Sequence, residues 1–299
     1  MVNIFLIISL ISSDPNVGTN GFDLLKITLP ARQAAMGCAA LGLADDAFGF
    51  YFNPAGLVDI EGPQFGVSYM NYVAGVQLGA LSYSRPMADK GFGFGLTYLN
   101  SGSMKKTDIS GNEEGTFSVS YANFDVALGL LFTEPIAVGL GVKGLYNKID
   151  TFFAVGAGLN LGGSFLLPVE GLHLGVAVRN IGAVFKPYRS ERDKLPLDFG
   201  AGLNYARGEN LNLNLDLVKS LSSSFSFRLG AEAWANQYLA VRAGYYSLGS
   251  DLKTGTGSDI LAGLSFGLGV RVLQYQLDYG FTPMLDLGRV HRFTLSFAL

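Results

Sequence analysis

Residues 211–217 read LNLNLDL, with leucine at every odd position and Asn212, Asn214 and Asp216 between them. A side-chain period of two is that of a β-strand, since a helix repeats near 3.6. The same alternation recurs from about residue 64 to the end, broken by turn signals. It predicts strands at 64–72, 76–85, 91–100, 123–132, 136–148, 153–166, 171–182, 196–206, 211–219, 224–235, 239–248, 258–268, 272–281 and 289–299. Short connections are expected at MADK (87–90), TEP (133–135), PVE (168–170), RGEN (207–210), NQY (236–238) and GVR (269–271). Longer, polar ones are expected at 101–122, 183–195, 249–257 and 282–288, mostly in between. The first, third and fifth connections on the longer side are themselves short, so the sorting is strong but incomplete; with an even strand count it describes an outer-membrane barrel, whereas a soluble sandwich has no reason to sort its turns.

The two faces of each strand separate by chemistry. Phe124, Val126, Leu128, Leu130 and Phe132 oppose Asp125 and Gly129; Ile136, Val138, Leu140 and Val142 oppose Gly139, Gly141 and Lys143. Phe225, Phe227 and Leu229 oppose Ser226, Arg228 and Glu232, and Leu273, Tyr275, Leu277, Tyr279 and Phe281 oppose Gln276 and Asp278. Lipid at the bilayer midplane penalises an outward Arg or Lys by about 2–4 kcal/mol. The charge-bearing face also carries many Gly and Ser, which leave room inside. The leucines of LNLNLDL are therefore expected to face lipid and its Asn and Asp the lumen. The lumen charge set is Asp125, Lys143, Arg179, Asp216, Arg228, Glu232, Arg242, Asp278 and Arg292. It is expected to act as an ion-pair lattice bracing an interior segment, with a polar path or docking surface as the alternative.

Composition supports this picture. Only 15% of the 299 residues are charged, against roughly 25% in ordinary soluble domains. Forty glycines, 22 phenylalanines and 14 tyrosines suit packed strands and aromatic girdles. The net charge of −3 supplies no basic stripe for nucleic acid. A single cysteine, Cys38, excludes an intrachain disulfide and is read as a small packed residue. No run of 18 apolar residues is present, so no transmembrane helix is expected. The apolar stretch IFLIISLI (4–11) reads as the core of a secretory signal over residues 1–13, although its n-region lacks Lys and Arg.

Residues 31–57, ARQAAMGCAALGLADDAFGFYFNPAGL, break the alternation. Small residues dominate. ADDAFGFYF is expected to form a short helix from Asp45 or Asp46, where a carboxylate caps exposed N–H groups, and Asn53-Pro54 to stop it. The segment at 14–63 reads as a compact plug, or hatch, within a barrel formed by 64–299. Arg32 carries the charge to pair with a lumen carboxylate.

ARQAAMG, then LADDA, then YFNPAGL resemble the N-terminal signature of PorV/PorQ-type outer-membrane proteins, within the FadL-like barrel superfamily. The closing LGRVHRFTLSF resembles their last strand, and the resemblance spans essentially the whole mature chain. Cys38 stands where such proteins often have glycine, and Phe52 where tryptophan is common. The resemblance implies an all-β, transmembrane antiparallel barrel of about fourteen strands. It also implies a hatch using Arg32 and Gly37 of the first motif, Asp45 and Asp46 of the second, and Asn53, Pro54, Ala55 and Gly56 of the third. FadL-like relatives pass hydrophobic molecules across the outer membrane; PorV-like and PorQ-like ones serve type IX secretion. The implied surroundings are outer-membrane lipids, hydrophobic small molecules, or secreted cargo and secretion-apparatus subunits.

Two motifs point elsewhere. GLGVKG (139–144) matches a dinucleotide fingerprint, but LYNKID continues as a strand where that fingerprint needs a helix. GLSFG (263–267) matches a nucleophile elbow, but Ser265 falls mid-strand, with only His173 and His291 as candidate bases. Glu113 and Glu114 in an outer loop are read as solvated charge rather than a calcium site, and no cofactor or metal is expected. The expected function is a non-enzymatic outer-membrane barrel in solute passage or secretion. A closed adhesive barrel and, more remotely, an outer-membrane hydrolase are the alternatives.

Overall fold

A computed structural model describes residues 22–188 and 193–299, so the signal expected at 1–13 lies outside the described residues. Fourteen strands close into one antiparallel barrel. They are β1 (Gln64–Asn71), β2 (Gln77–Met87), β3 (Lys90–Asn100), β6 (Val119–Thr133), β7 (Ile136–Ile149), β8 (Phe152–Leu166), β9 (Leu172–Lys186), β10 (Asp198–Arg207), β11 (Leu211–Ser220), β12 (Ser226–Trp234), β13 (Leu239–Tyr246), β14 (Leu264–Val272), β15 (Tyr275–Pro283) and β16 (Arg289–Ala298). A small hairpin, β4 (Met104–Thr107) and β5 (Glu113–Phe117), stands apart between β3 and β6. Neighbours in sequence are neighbours in the wall, and β16 pairs with β1 from Gln64↔Ala298 to Asn71↔His291 to close it. Closure leaves no strand edge, which the hydrocarbon layer would penalise. Among the described residues no helix is long and apolar enough to cross a membrane.

The alternation in the sequence maps onto the two faces of the wall. In LNLNLDL, Leu213, Leu215 and Leu217 are 44%, 39% and 44% exposed, whereas Asn214 and Asp216 are 4% and 0% exposed. Phe124, Leu128, Leu140 and Leu277 lie outward in the same way, while Asp125, Lys143 and Asp278 are buried inside.

Several boundaries differ from expectation. The 101–122 connection holds the β4–β5 hairpin, stabilised by the Lys105–Glu113 ion pair, and β6 starts at Val119. β9 runs on to Lys186, past the expected end at 182. The strand expected at 258–268 is displaced to Leu264–Val272, because Gly257–Leu261 forms a 3-10 turn. There Asp259 accepts from the backbone N–H groups of Thr254 and Gly255, and this local capping outweighs the apolar Ile260 and Leu261. GVR (269–271) lies within β14; the turn falls at Leu273 and Gln274, with Leu273 at φ 55°.

Parts of the stretch 22–62 lie against the inner side of the wall. The same short stretch meets the inner faces of strands all round the wall: Phe48 meets Gly66 of β1, Pro54 meets Gly139 of β7, Leu41 meets Gly175 of β9 and Met36 meets Gly230 of β12. The largest apolar core cluster sits here, where Phe22, Leu29, Ala47 and Phe48 pack on Met70, Leu78 and Tyr121 of the wall. The helix expected from Asp45 or Asp46 is reduced to a 3-10 turn at Gly49–Tyr51. One α-helix, α1 (Ala31–Ala35), follows Pro30, and three 3-10 turns occupy Asp23–Lys26, Gly49–Tyr51 and Pro54–Val58. Asp46 accepts from the Phe48 N–H at 2.9 Å, but its other oxygen is taken by Arg32 and Gln33, so tertiary contacts set the local path. Asn53 does not simply end a helix: at φ −147° its side chain accepts from Ala55 N–H and starts the next turn.

Candidate functional site

The site is the barrel interior, where residues of the 22–62 stretch line two chambers, an upper one at the long-loop end and a lower one at the short-turn end. The inward glycines make this possible. A Cβ on Gly175 would collide with the Leu41 carbonyl, and one on Gly230 would lie 2.6 Å from the Met36 carbonyl oxygen. Backbone approaches backbone at these positions, so the segment sits directly on the wall.

Polar groups fix it there. Ala40 and Leu41 N–H both donate to Asp216 Oδ2, at 2.9 and 3.1 Å. Asn53 Nδ2 donates to the carbonyls of Leu41 and Gly163, both at 3.0 Å. The Ser82 and Ser84 hydroxyls both donate to the Ala47 carbonyl. The Ala31 N–H donates to Thr294 Oγ1 at 2.9 Å. Arg292 Nε donates to the Thr28 carbonyl at 3.0 Å, and Arg228 Nη1 to the Cys38 carbonyl at 3.2 Å. Cys38 itself follows Gly37 in a second left-handed position, φ 64° for each, and is only partly buried. That backbone favours glycine.

The strongest anchor is ionic. Arg32 makes a two-pronged contact with Glu232 of β12, Nη2 to Oε1 at 2.8 Å and Nε to Oε2 at 3.0 Å. Its Nη1 reaches Asp45 at 2.6 Å and Asp46 at 3.1 Å. Glu232 continues to Arg242 Nε at 2.6 Å, and Arg242 to Asp278 at 2.8 Å.

The sequence-derived residues thus divide by contact. Asp216, Arg228, Glu232 and Arg292 hold the segment directly, and Arg242 and Asp278 extend the Glu232 network. Asp125, Lys143 and Arg179 form another group in the upper half: Lys143 donates to Asn180 at 2.8 Å and lies 4.0 Å from Asp125, while Arg179 grips Asp198 at 2.8 Å. Gly37 donates its N–H to Ser265, and Gly56 packs against Ala44. The Ser265 hydroxyl also donates to the Ala35 carbonyl, so both its functions serve the segment. His291 lies against Tyr279 on the outer face, and His173 lines the lower chamber. Ser68, whose hydroxyl donates to the Leu29 carbonyl at 3.4 Å, joins Ser82, Ser84, Ser265 and Thr294 as anchors that the sequence did not reveal as such. The available signal was a hydroxyl at inward positions of otherwise aromatic or aliphatic strands.

The upper chamber, at the long-loop end, is a cavity of about 130 Å³ bounded by Leu24, Leu25, Phe48, Tyr51 and Tyr121 and by Lys143, Arg179 and Arg228. Tyr121 OH and Asn123 Oδ1 are buried there without a hydrogen-bond partner among the described residues. The lower chamber, at the short-turn end, is about 520 Å³ and polar, with Asp45, Asp46, Asp59, Glu61, His173 and Glu232 in its wall. Phe48 borders both. Among the described residues no group of His, Cys, Asp and Glu is arranged to hold a metal ion.

No family model and no curated protein matches the sequence. Solved structures do match the barrel. The Pseudomonas putida toluene transporter TodX superposes with a TM-score of 0.63 at 14% identity, over 89% of this chain and 96% of that one. The CymD monoaromatic hydrocarbon channel gives 0.64 at 12% identity, over 93% and 99%. The fold is the closed fourteen-strand barrel that these structures share. With an apolar outer belt and no strand edge, this is an architecture of the bacterial outer membrane.

Proposed function

We propose that the chain is an outer-membrane channel for small hydrophobic solutes, with residues 22–62 as the hatch that closes it. The observation that carries this reading is Phe48, which borders both chambers and lies at the barrier between them. The upper chamber, about 130 Å³ with an aromatic wall, is near the ~150 Å³ that admits a benzene-sized guest. The likeness to a toluene transporter and a monoaromatic hydrocarbon channel supports the same solute class. Short turns mark the periplasmic end, so a solute enters the upper chamber from outside and leaves through the lower one.

The test is uptake of radiolabelled toluene by cells lacking their own channel. Expression of the chain raises uptake, and Asn53→Ala, which removes three hydrogen bonds of the hatch, changes the rate. Uptake equal to that of empty-vector cells, with the barrel folded in the outer membrane, overturns the reading.

A second reading, support of protein secretion, rests on the signature in residues 31–57 and on the β4–β5 hairpin, whose tip residue Ile109 is fully exposed. Deleting 104–117 then lowers recovery of bound cargo in pull-downs; equal recovery removes this reading. A closed adhesive barrel would show neither uptake nor conductance.

A further inference from the structure

Two hydrogen-bonding groups of the upper chamber are used neither by the wall nor by the interior segment. Tyr121, Asn123 and Asp125 alternate along β6 and are buried on its inner face, while Phe124 among them is outward. Tyr121 and Asn123 line the chamber and are only 3% and 5% exposed. Tyr121 OH and Asn123 Oδ1 nevertheless have no hydrogen-bond partner among the described residues. The cations of the same chamber are engaged. Lys143 donates to Asn180 at 2.8 Å, Arg179 to Asp198 at 2.8 Å, and Arg228 Nη1 to the Cys38 carbonyl at 3.2 Å.

Asp125 fixes which end of the Asn123 amide is free. Asn123 Nδ2 donates to Asp125 Oδ2, and a flipped amide would set oxygen against carboxylate. Oδ1 is therefore the free end, a pure acceptor. The Tyr121 ring is held edge-on by Phe22 of the interior segment, with centroids 6.1 Å apart, inside the largest apolar cluster. Leu24, Leu25, Phe48, Leu78 and Ala80 contribute apolar lining to the chamber.

We propose that the upper chamber selects a phenol over the hydrocarbon of the same size. The guest ring rests among the apolar side chains, its hydroxyl donates to Asn123 Oδ1, and its oxygen accepts from the Tyr121 hydroxyl. This rests on the reading of the chamber as a place for small hydrophobic solutes, and narrows that class. Toluene carries a methyl where phenol carries the hydroxyl, so it leaves both protein oxygens unmet. A site with buried polar groups discriminates against a guest that lacks their partner. Benzoate brings a carboxylate, so acceptor would face acceptor at Asn123 Oδ1 and Asp125.

The experiment uses the full chain purified in detergent, with radiolabelled phenol, toluene and benzoate as probes. Equilibrium dialysis reads binding, corrected by protein-free micelles. Wild type binds phenol about tenfold tighter than toluene, and tighter than benzoate. Tyr121→Phe keeps the ring, and Asn123→Leu keeps the volume. Each weakens phenol binding by about tenfold and leaves toluene binding within about twofold. A merely structural role would move both ligands together. Folding is checked by the mobility of unheated barrel on gels, and the wild-type comparison needs no variant. Toluene or benzoate bound as tightly as phenol by wild type overturns the proposal. So does an equal loss of phenol and toluene in a folded variant, or phenol binding unchanged by both substitutions. Selective phenol binding without toluene uptake by cells would remove passage and keep the site; toluene uptake without selective phenol binding would do the reverse.

Discussion

The ring of Phe48 occupies the notch left by Gly66 on β1: a Cβ at Gly66 would collide with it. Phe48 is 2% exposed and borders the chamber on either side. A wall residue without a side chain therefore sets the position of the ring between the two chambers.

Phe48→Ala is expected to join the chambers and raise single-channel conductance in planar bilayers. Loss of a buried phenyl ring costs about 3–5 kcal/mol, so the urea midpoint falls as well. Conductance equal to wild type in a folded barrel would place the barrier elsewhere.

Glu232→Gln removes the charge that Arg32 and Arg242 share. Breaking a buried pair from one side costs about 3–5 kcal/mol. Limited proteolysis is expected to cut the N-terminal segment faster than in wild type. An unchanged cleavage rate would show that the hydrogen bonds of Asp216 and Asn53 suffice to hold it.

Gly175→Val and Gly144→Val test the two faces of the wall. Gly175 abuts the Leu41 carbonyl, whereas a Cβ on Gly144 meets nothing within 4 Å. Refolding yield, read from the mobility of unheated samples, should drop for the first and hold for the second. Similar yields would contradict the close approach of segment and wall.

Leu140→Arg places a guanidinium on the outer face between Leu128 and Leu161. The expected loss in folding free energy into lipid vesicles is about 2–4 kcal/mol. A loss well under 1 kcal/mol would mean that this row does not meet hydrocarbon.

The wall was legible because each of its signals is local. Leu213, Leu215 and Leu217 separate from Asn214 and Asp216 through the pleat alone, and the fourteen barrel strands follow from repeating that test. Errors arose where a few residues had a competing local option. Ile260 and Leu261 read as strand, but Asp259 caps a turn there. The lumen charges were recognisable as one inward set, yet nothing in their spacing separated Glu232, which grips Arg32, from Lys143, which bonds Asn180.

The interior segment was the least legible part. Its composition marked it as rich in small residues, but the helix expected from Asp45 or Asp46 shrank to a 3-10 turn at Gly49–Tyr51, and α1 appeared at Ala31–Ala35. A five-residue helix has little intrinsic stability, so the wall selects it rather than propensity.

The amino-acid sequence by itself determined the strand period, the sorting of faces and hence a closed barrel in lipid, because pleating links each residue to a side of the sheet with no distant information. Only the tertiary structure decided how the lumen is divided: Arg32 meets Glu232 across 200 residues of chain, and Ala31 meets Thr294 across 263. Such pairings depend on where closure brings the strands, and no local pattern carries that distance.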